Sequence, residues 1–141
     1  MENWREQVIE EAQTWLLTPW HHLADVKGAG VDCAQFLRKV YINVGLAEPF
    51  ETDAYPMDFM MNRSEERFLK YIEQYMDKVD KPLPGDAAVF MYGRCFSHGA
   101  IVIEWPLVIH AYRKERCVTW GDASKCEFKD REVRFYTPRI K

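Results

Sequence analysis

The sequence predicts an α+β domain whose N-terminal helices pack on an antiparallel β-sheet. Three observations carry this expectation. Apolar residues recur at helical spacing through the first half of the chain. Short β-branched and aromatic runs fill the second half. Between them, Pro82-Leu83-Pro84-Gly85-Asp86 is a dense turn signal.

Taken in order, Trp4, Val8, Ile9, Ala12, Trp15 and Leu16 form one stripe of a first helix. Asn3 followed by Glu6 reads as a capping box, and Thr18-Pro19 as its stop. A loop from Trp20 to Val31 carries His21, His22 and Lys27-Gly28-Ala29-Gly30. A second helix is expected over Cys33 to Val44, with Asp32 as N-cap, Gly45 just past its end, and a stripe of Cys33, Phe36, Leu37, Val40, Tyr41 and Val44. Ala47 to Asn62 reads as a long loop of the kind that often lines sites. Ser64-Glu65-Glu66 opens a third helix bearing Phe68, Ile72, Tyr75 and Met76. Strand runs then follow at Ala87–Met91, His98–Trp105, Leu107–Tyr112, Arg116–Trp120 and Glu132–Tyr136.

The chain has 141 residues, which fits a single domain over 1–141, and no repeat or linker divides it. Hydrophobic residues make up 48%, enough for a core without a disulfide scaffold. A net charge of −3, with both signs mixed along the chain, leaves no basic footprint for nucleic acid. No apolar run approaches the roughly 20 residues that span a membrane. The start, Met1-Glu2-Asn3-Trp4-Arg5-Glu6, is acidic where a signal peptide is basic, so synthesis in the cytoplasm is the expectation. Cysteines 33, 95, 117 and 126 are then expected as free thiols.

Cys33 carries the first chemical signal. It stands at the first turn of a helix, where unpaired N–H groups and the dipole favour a thiolate and can hold an oxyanion. The plainer reading makes it the first apolar residue of the helix stripe. Two of the four histidines shift the balance. His98 is expected at the mouth of one strand, in Ser97-His98-Gly99-Ala100-Ile101-Val102, and His110 near the end of the next, in Val108-Ile109-His110-Ala111. A tight turn near Pro106 would bring the two imidazoles together, one to serve sulfur and the other to orient it. A rival reading is structural zinc held by Cys95-x-x-His98 and His110-x6-Cys117. That second spacing is wide, and the site would leave Cys33 without a role.

Four motifs occur in a telling order: Gly30-Val31-Asp32-Cys33-Ala34-Gln35-Phe36, Pro84-Gly85-Asp86, Ser97-His98-Gly99-Ala100-Ile101-Val102 and Ile109-His110-Ala111. In this the chain resembles the NlpC family of papain-like cell-wall cysteine peptidases, relatives of the CHAP amidases, from about Thr14 to the end. The segment from Thr18-Pro19-Trp20-His21-His22 through Gly30 resembles the branch found in phage and prophage tail modules. The resemblance implies a papain-like fold and a peptidase that cleaves peptidoglycan stem peptides without a cofactor or metal. It implies Cys33 as nucleophile, His98 as base and His110 as orienting residue.

It also sets Asp32, Trp20 and Gln35 among the substrate-facing positions. Asp32 matches an acidic neighbour of the nucleophile. Trp20 stands where a tyrosine is usual, and Ala34-Gln35 replaces a common Ser-Gly. Phage tail proteins are the implied partners, with action at the cell wall. Two other classes stay open at this point: a non-catalytic tail protein that has kept the fold, and an amidase or acyltransferase using the same trio.

Overall fold

The structure is a computed structural model, and it describes residues 2–52 and 67–140. Helix α1 (Asn3–Thr14) turns Val8 and Ala12 inward, as its stripe requires. Its cap differs from the expectation. Glu2 occupies the N-cap position with no side-chain cap bond, so Asn3 and Glu6 form no capping box. Glu2 instead accepts hydrogen bonds from the Trp4 indole at 3.1 Å and from Arg5 at 3.3 Å. Arg5 is buried, an outcome no apolar pattern announces. Its guanidinium donates to Asp86 at 2.8 Å and to the Pro84 carbonyl at 3.0 Å.

The loop expected from Trp20 to Val31 contains a small antiparallel ribbon, β1 (Asp25–Val26) and β2 (Gly30–Val31). Helix α2 (Cys33–Val44) has both expected ends. The Asp32 side chain accepts from the Gln35 N–H at 2.9 Å, and Gly45 closes the helix at φ 87°. Helix α3 is described over Arg67–Tyr75; its expected opening at Ser64-Glu65-Glu66 and the loop from residue 53 onward lie outside the described residues. Met76, expected on that helix, begins strand β3 (Met76–Val79). None of the described helices is long and apolar enough to cross a membrane.

Five further strands complete the sheet: β4 (Ala87–Tyr92), β5 (Cys95–Glu104), β6 (Leu107–Tyr112), β7 (Cys117–Asp122) and β8 (Val133–Pro138). Their order is β3-β8-β4-β5-β6-β7, and every neighbouring pair is antiparallel. Local pattern located β4 through β8 but not β3, which pairs with β8 near the C-terminus. β5 begins at Cys95, so His98 lies inside the strand rather than at its mouth. The β4–β5 ladder shifts register between Phe90 and Met91, which bends the strand next to His98.

Alternation along β4 separates two cores. Ala87 and Val89 join the larger one, with Val8, Trp15, Phe36, Leu37, Val40 and Phe68 of the helices. Ala88 and Phe90 face the other way, with Val102, Val108 and Phe128. The Pro84-Gly85-Asp86 turn ties the layers together: the Gly85 N–H donates to the Val102 carbonyl at 2.8 Å, and the Tyr41 hydroxyl to the Gly85 carbonyl at 2.8 Å. Gly85 sits at φ 91°, a conformation that costs other residues strain.

Helix α2 approaches β5 closely because Gly99 has no side chain. A Cβ there would lie 2.3 Å from Leu37 Cδ1 and 2.7 Å from Phe68 Cζ. Gly99→Ala is therefore expected to cost about 1–3 kcal/mol through overpacking, read as a lower urea midpoint. Combining it with Leu37→Ala should cost less than the sum of the two single changes, because one relieves the clash made by the other.

Candidate active site

The end of the β5–β6 ladder creates the site. Its pairs run from Glu104 and Leu107 to Ile101 and Ile109, leaving the edge of Ser97–Gly99 that faces away from β4 open to another partner. The start of α2 fills it. The Cys33 thiol donates to the Ser97 carbonyl at 3.4 Å, and the Gly99 N–H points at the same sulfur. Cys33 thus touches both peptide groups that flank His98. The N–H groups of Cys33 and Ala34 also face the sulfur, as a helix N-terminus dictates.

His98 is the cross-strand neighbour of Phe90, so its ring belongs to the face of the smaller core. Extending the β5–β6 register places His110 opposite Ala100, and the two histidines meet on a diagonal. His98 Nε2 and His110 Nδ1 are 2.7 Å apart, a short hydrogen bond. That bond uses Nε2 of His98 and leaves Nδ1 for a second partner. Gly121 makes room for His110: a Cβ there would lie 2.7 Å from its Nε2.

The electrostatics correct one expectation. A cysteine at a helix start is expected to lose its proton easily, yet burial and the Asp32 carboxylate push the Cys33 thiol up to about 12, against the pull of the three N–H groups. Burial, His110 and Arg131 hold His98 well below the usual imidazole range. Burial lowers His110 to about 4, opposed by Glu127. Each of these shifts favours the neutral form of its group, the thiol for Cys33 and the uncharged imidazole for His98 and His110.

The other sequence-predicted residues are placed as follows. Asp32 is buried; one carboxylate oxygen accepts from the Gln35 N–H and the other from the Leu23 N–H at 2.8 Å. It locks the preceding loop to the helix, with His22 Nδ1 4.0 Å away. Gln35 is buried too; its amide donates to Thr52 at 2.9 Å and accepts from Arg38 at 3.2 Å. The Trp20 ring packs on the larger core with the Arg113 guanidinium 5.6 Å over it, and its backbone bridges to Val31. Cys95 is buried, and Cys117 stands at the far end of the β6–β7 pairing, opposite Tyr112. The two histidines of the zinc alternative bond each other at 2.7 Å, which leaves no space for a cation between them. Among the described residues no group of three or more His, Cys, Asp and Glu side chains is arranged to hold a metal.

Pattern reading missed the aromatic wall around the histidines. Tyr112 stacks on His110 with centroids 4.8 Å apart, Tyr92 lies 5.5 Å from His98, and Phe128 lies 5.8 Å and 5.4 Å from the two rings. Tyr112 was legible, being two residues beyond His110 on one strand and hence on the same face. Phe128 and Glu127 come from a 3-10 turn, Cys126–Phe128, whose sequence carries no periodic signal.

Solved structures share this fold. The NlpC/p60 domain of the peptidoglycan hydrolase SagA superposes with a TM-score of 0.63 at 19% identity, over 92% of this chain and 96% of that one. NlpC2 from Trichomonas vaginalis does so with 0.68 at 15%, over 97% of this chain and 49% of that one. An N-acetylmuramoyl-L-alanine amidase from Bacteroides uniformis gives 0.55 at 14%, over 99% and 100%. No protein-family model matches the sequence, and neither does any curated protein sequence. The fold is thus of the papain-like α+β class. Within that class it is the fold of NlpC/p60 domains.

Two pH responses follow. Both histidines are held below the unfolded value of about 6.5, so folding favours their neutral forms. Their contribution is full above that pH and is lost as pH falls toward the folded value, because the unfolded chain then binds more protons. Stability should decline below pH 6.5 by up to about 1.4 kcal/mol per pH unit per histidine, and His110→Asn should flatten the slope in urea titrations at fixed pH. For Cys33, iodoacetamide alkylation of the resting protein should keep rising above pH 9; a plateau near neutral pH would contradict the raised thiol.

Proposed function

We propose that this protein is a cysteine peptidase that hydrolyses an amide bond in peptidoglycan stem peptides through a thioester on Cys33. One observation carries the reading: the Cys33 sulfur bonds the peptide groups on both sides of His98, while His98 itself bonds His110 at 2.7 Å. Substrate class comes from the NlpC resemblance of the motifs and from fold neighbours described as a peptidoglycan hydrolase and an amidase.

With the thiol neutral at rest, proton transfer accompanies attack. In this mechanism His98 carries its hydrogen on Nε2 and His110 Nδ1 accepts it, which frees the His98 Nδ1 lone pair to take the thiol proton. As sulfur bonds the substrate carbonyl carbon, the oxygen gains negative charge and is met by N–H groups at the start of α2. The tetrahedral species collapses, His98 returns the proton to the leaving amine, and a thioester remains. Water then attacks the thioester with His98 again as base, releasing the acid and the thiol. His110 holds the ring in its tautomer and supports the imidazolium. Asp32 and Gln35 would serve the substrate side by fixing the adjoining loops through their hydrogen bonds, and Trp20 by its N–H bond to the Arg116 carbonyl in the β6–β7 turn. Delivery by a phage tail, with tail proteins as partners, rests on the resemblance of the segment from Thr18 to Gly30.

The amidase reading uses the same trio, and the Bacteroides fold neighbour favours keeping it in the test. Digestion of purified sacculi followed by mass spectrometry separates the two: new peptide termini mark a peptidase, and release of whole stem peptides marks an amidase. Cys33→Ala should abolish release with the circular dichroism spectrum unchanged, and undiminished turnover would remove Cys33 as nucleophile. His98→Ala should lose about a thousandfold or more, whereas His110→Asn should retain measurable activity because an amide oxygen still accepts the ring N–H.

A further inference from the structure

The aromatic wall behind the histidines ends on a carboxylate. Tyr112 lies nearly parallel to His110, at 14°, and its centroid is 5.3 Å from that of His98. Its hydroxyl donates to Glu127 Oε1, and the Lys114 ammonium lies 3.5 Å from the same oxygen. The 3-10 turn that delivers Glu127 also delivers Phe128, which touches both histidines and Tyr112. One short segment therefore packs the pair and brings a negative charge to its far end.

We propose that Glu127, acting through the stacked ring of Tyr112, is a positioning residue that stabilises positive charge on the His98–His110 pair. This deepens the proposed function and rests on His98 being the base. When the proton moves from sulfur to His98, the pair gains a positive charge in a buried setting that opposes it. A phenol whose hydroxyl donates to a carboxylate presents an electron-rich face, and a ring stacked on that face is favoured when cationic. Glu127 and Tyr112 exchange no proton in the cycle; the proton shuttles between sulfur, His98 and the leaving amine.

The charges around the pair are asymmetric. On the His98 side lie Tyr92 and Arg131, whose guanidinium sits 3.6 Å over the Tyr92 ring, with Cys33 at the strand edge and Asp32 behind it. Arg131 disfavours an imidazolium on His98. On the His110 side, Glu127 opposes the effect of burial, and Lys114 partly offsets its charge. The turn after β7 thus supplies the counter-charge on the His110 side of the pair.

The test is an NMR titration of the two imidazoles in the whole chain, joined to the pH profile of peptidoglycan cleavage. The titration needs no substrate, so it reports on Glu127 even if no amide bond is cut. Glu127→Gln should lower the His110 pKa by about half a unit, a roughly threefold change in protonation constant. The acid limb of kcat/KM should move the same way, with kcat down about threefold and KM unchanged. Glu127→Asp should recover part of both effects. Tyr112→Phe, which keeps the ring but loses its hydroxyl, should shift the titration in the same direction by less, and it carries the test if Glu127→Gln does not fold. Imidazole titrations unchanged or raised in these variants would overturn the proposal. A lowered titration without any cleavage by the wild type would leave the Glu127 coupling standing and remove the peptidase reading.

Discussion

The contact between α2 and β5 at Gly99 sets the geometry on which the rest of the site depends. Leu37 and Phe68 occupy the space that a side chain on residue 99 would need. With the helix so near, its first residue reaches the strand edge that β6 has left, and the sulfur finds the Ser97 carbonyl and the Gly99 N–H. A packing constraint on the helix side thereby becomes a spacing constraint on the Cys33 sulfur. The interior is close-packed, so a shift of one methyl group at this contact propagates to the helix end.

The same closeness sets the protonation states. A helix start favours a thiolate, but here the dipole competes with burial and with the capping carboxylate, and burial is the larger effect. Asp32 has two opposed consequences: it fastens the Leu23 loop to the helix and raises the thiol beside it. The histidines, enclosed by Phe90, Tyr92, Tyr112 and Phe128, are pushed toward their neutral forms for the same reason. A neutral pair is compatible with the proposed mechanism, in which the proton moves during attack and charge develops only where N–H groups and the paired imidazoles receive it.

Away from the site, the Arg5–Asp86 pair shows how the layers are held in register. A buried ion pair is costly unless its remaining atoms are bonded. Asp86 also accepts the Leu83 N–H at 2.9 Å, and Arg5 also reaches the Pro84 carbonyl. Together with Tyr41 on Gly85 they join α1, α2 and the entry to β4 at one turn. The turn was plain from its Pro-Gly-Asp composition; its partner Arg5 lies 81 positions away and was not.

Local physics accounts for what could be read from sequence alone. The α+β class, the limits of α2 with its Asp32 cap and Gly45 end, and the strands β4 to β8 follow from period, capping and turn chemistry within a few residues. The order of Cys33, His98 and His110 was legible too, because a helix start and two successive strands are local patterns. Tertiary structure decided the remainder. The β3–β8 pairing, the burial of Arg5 against Asp86 and the arrival of Glu127 and Phe128 all join residues well separated in the chain. So does the protonation of Cys33 and the histidines. A pKa in a protein is set by the water that packing removes and by charges brought near from elsewhere, and neither is written in the neighbouring residues.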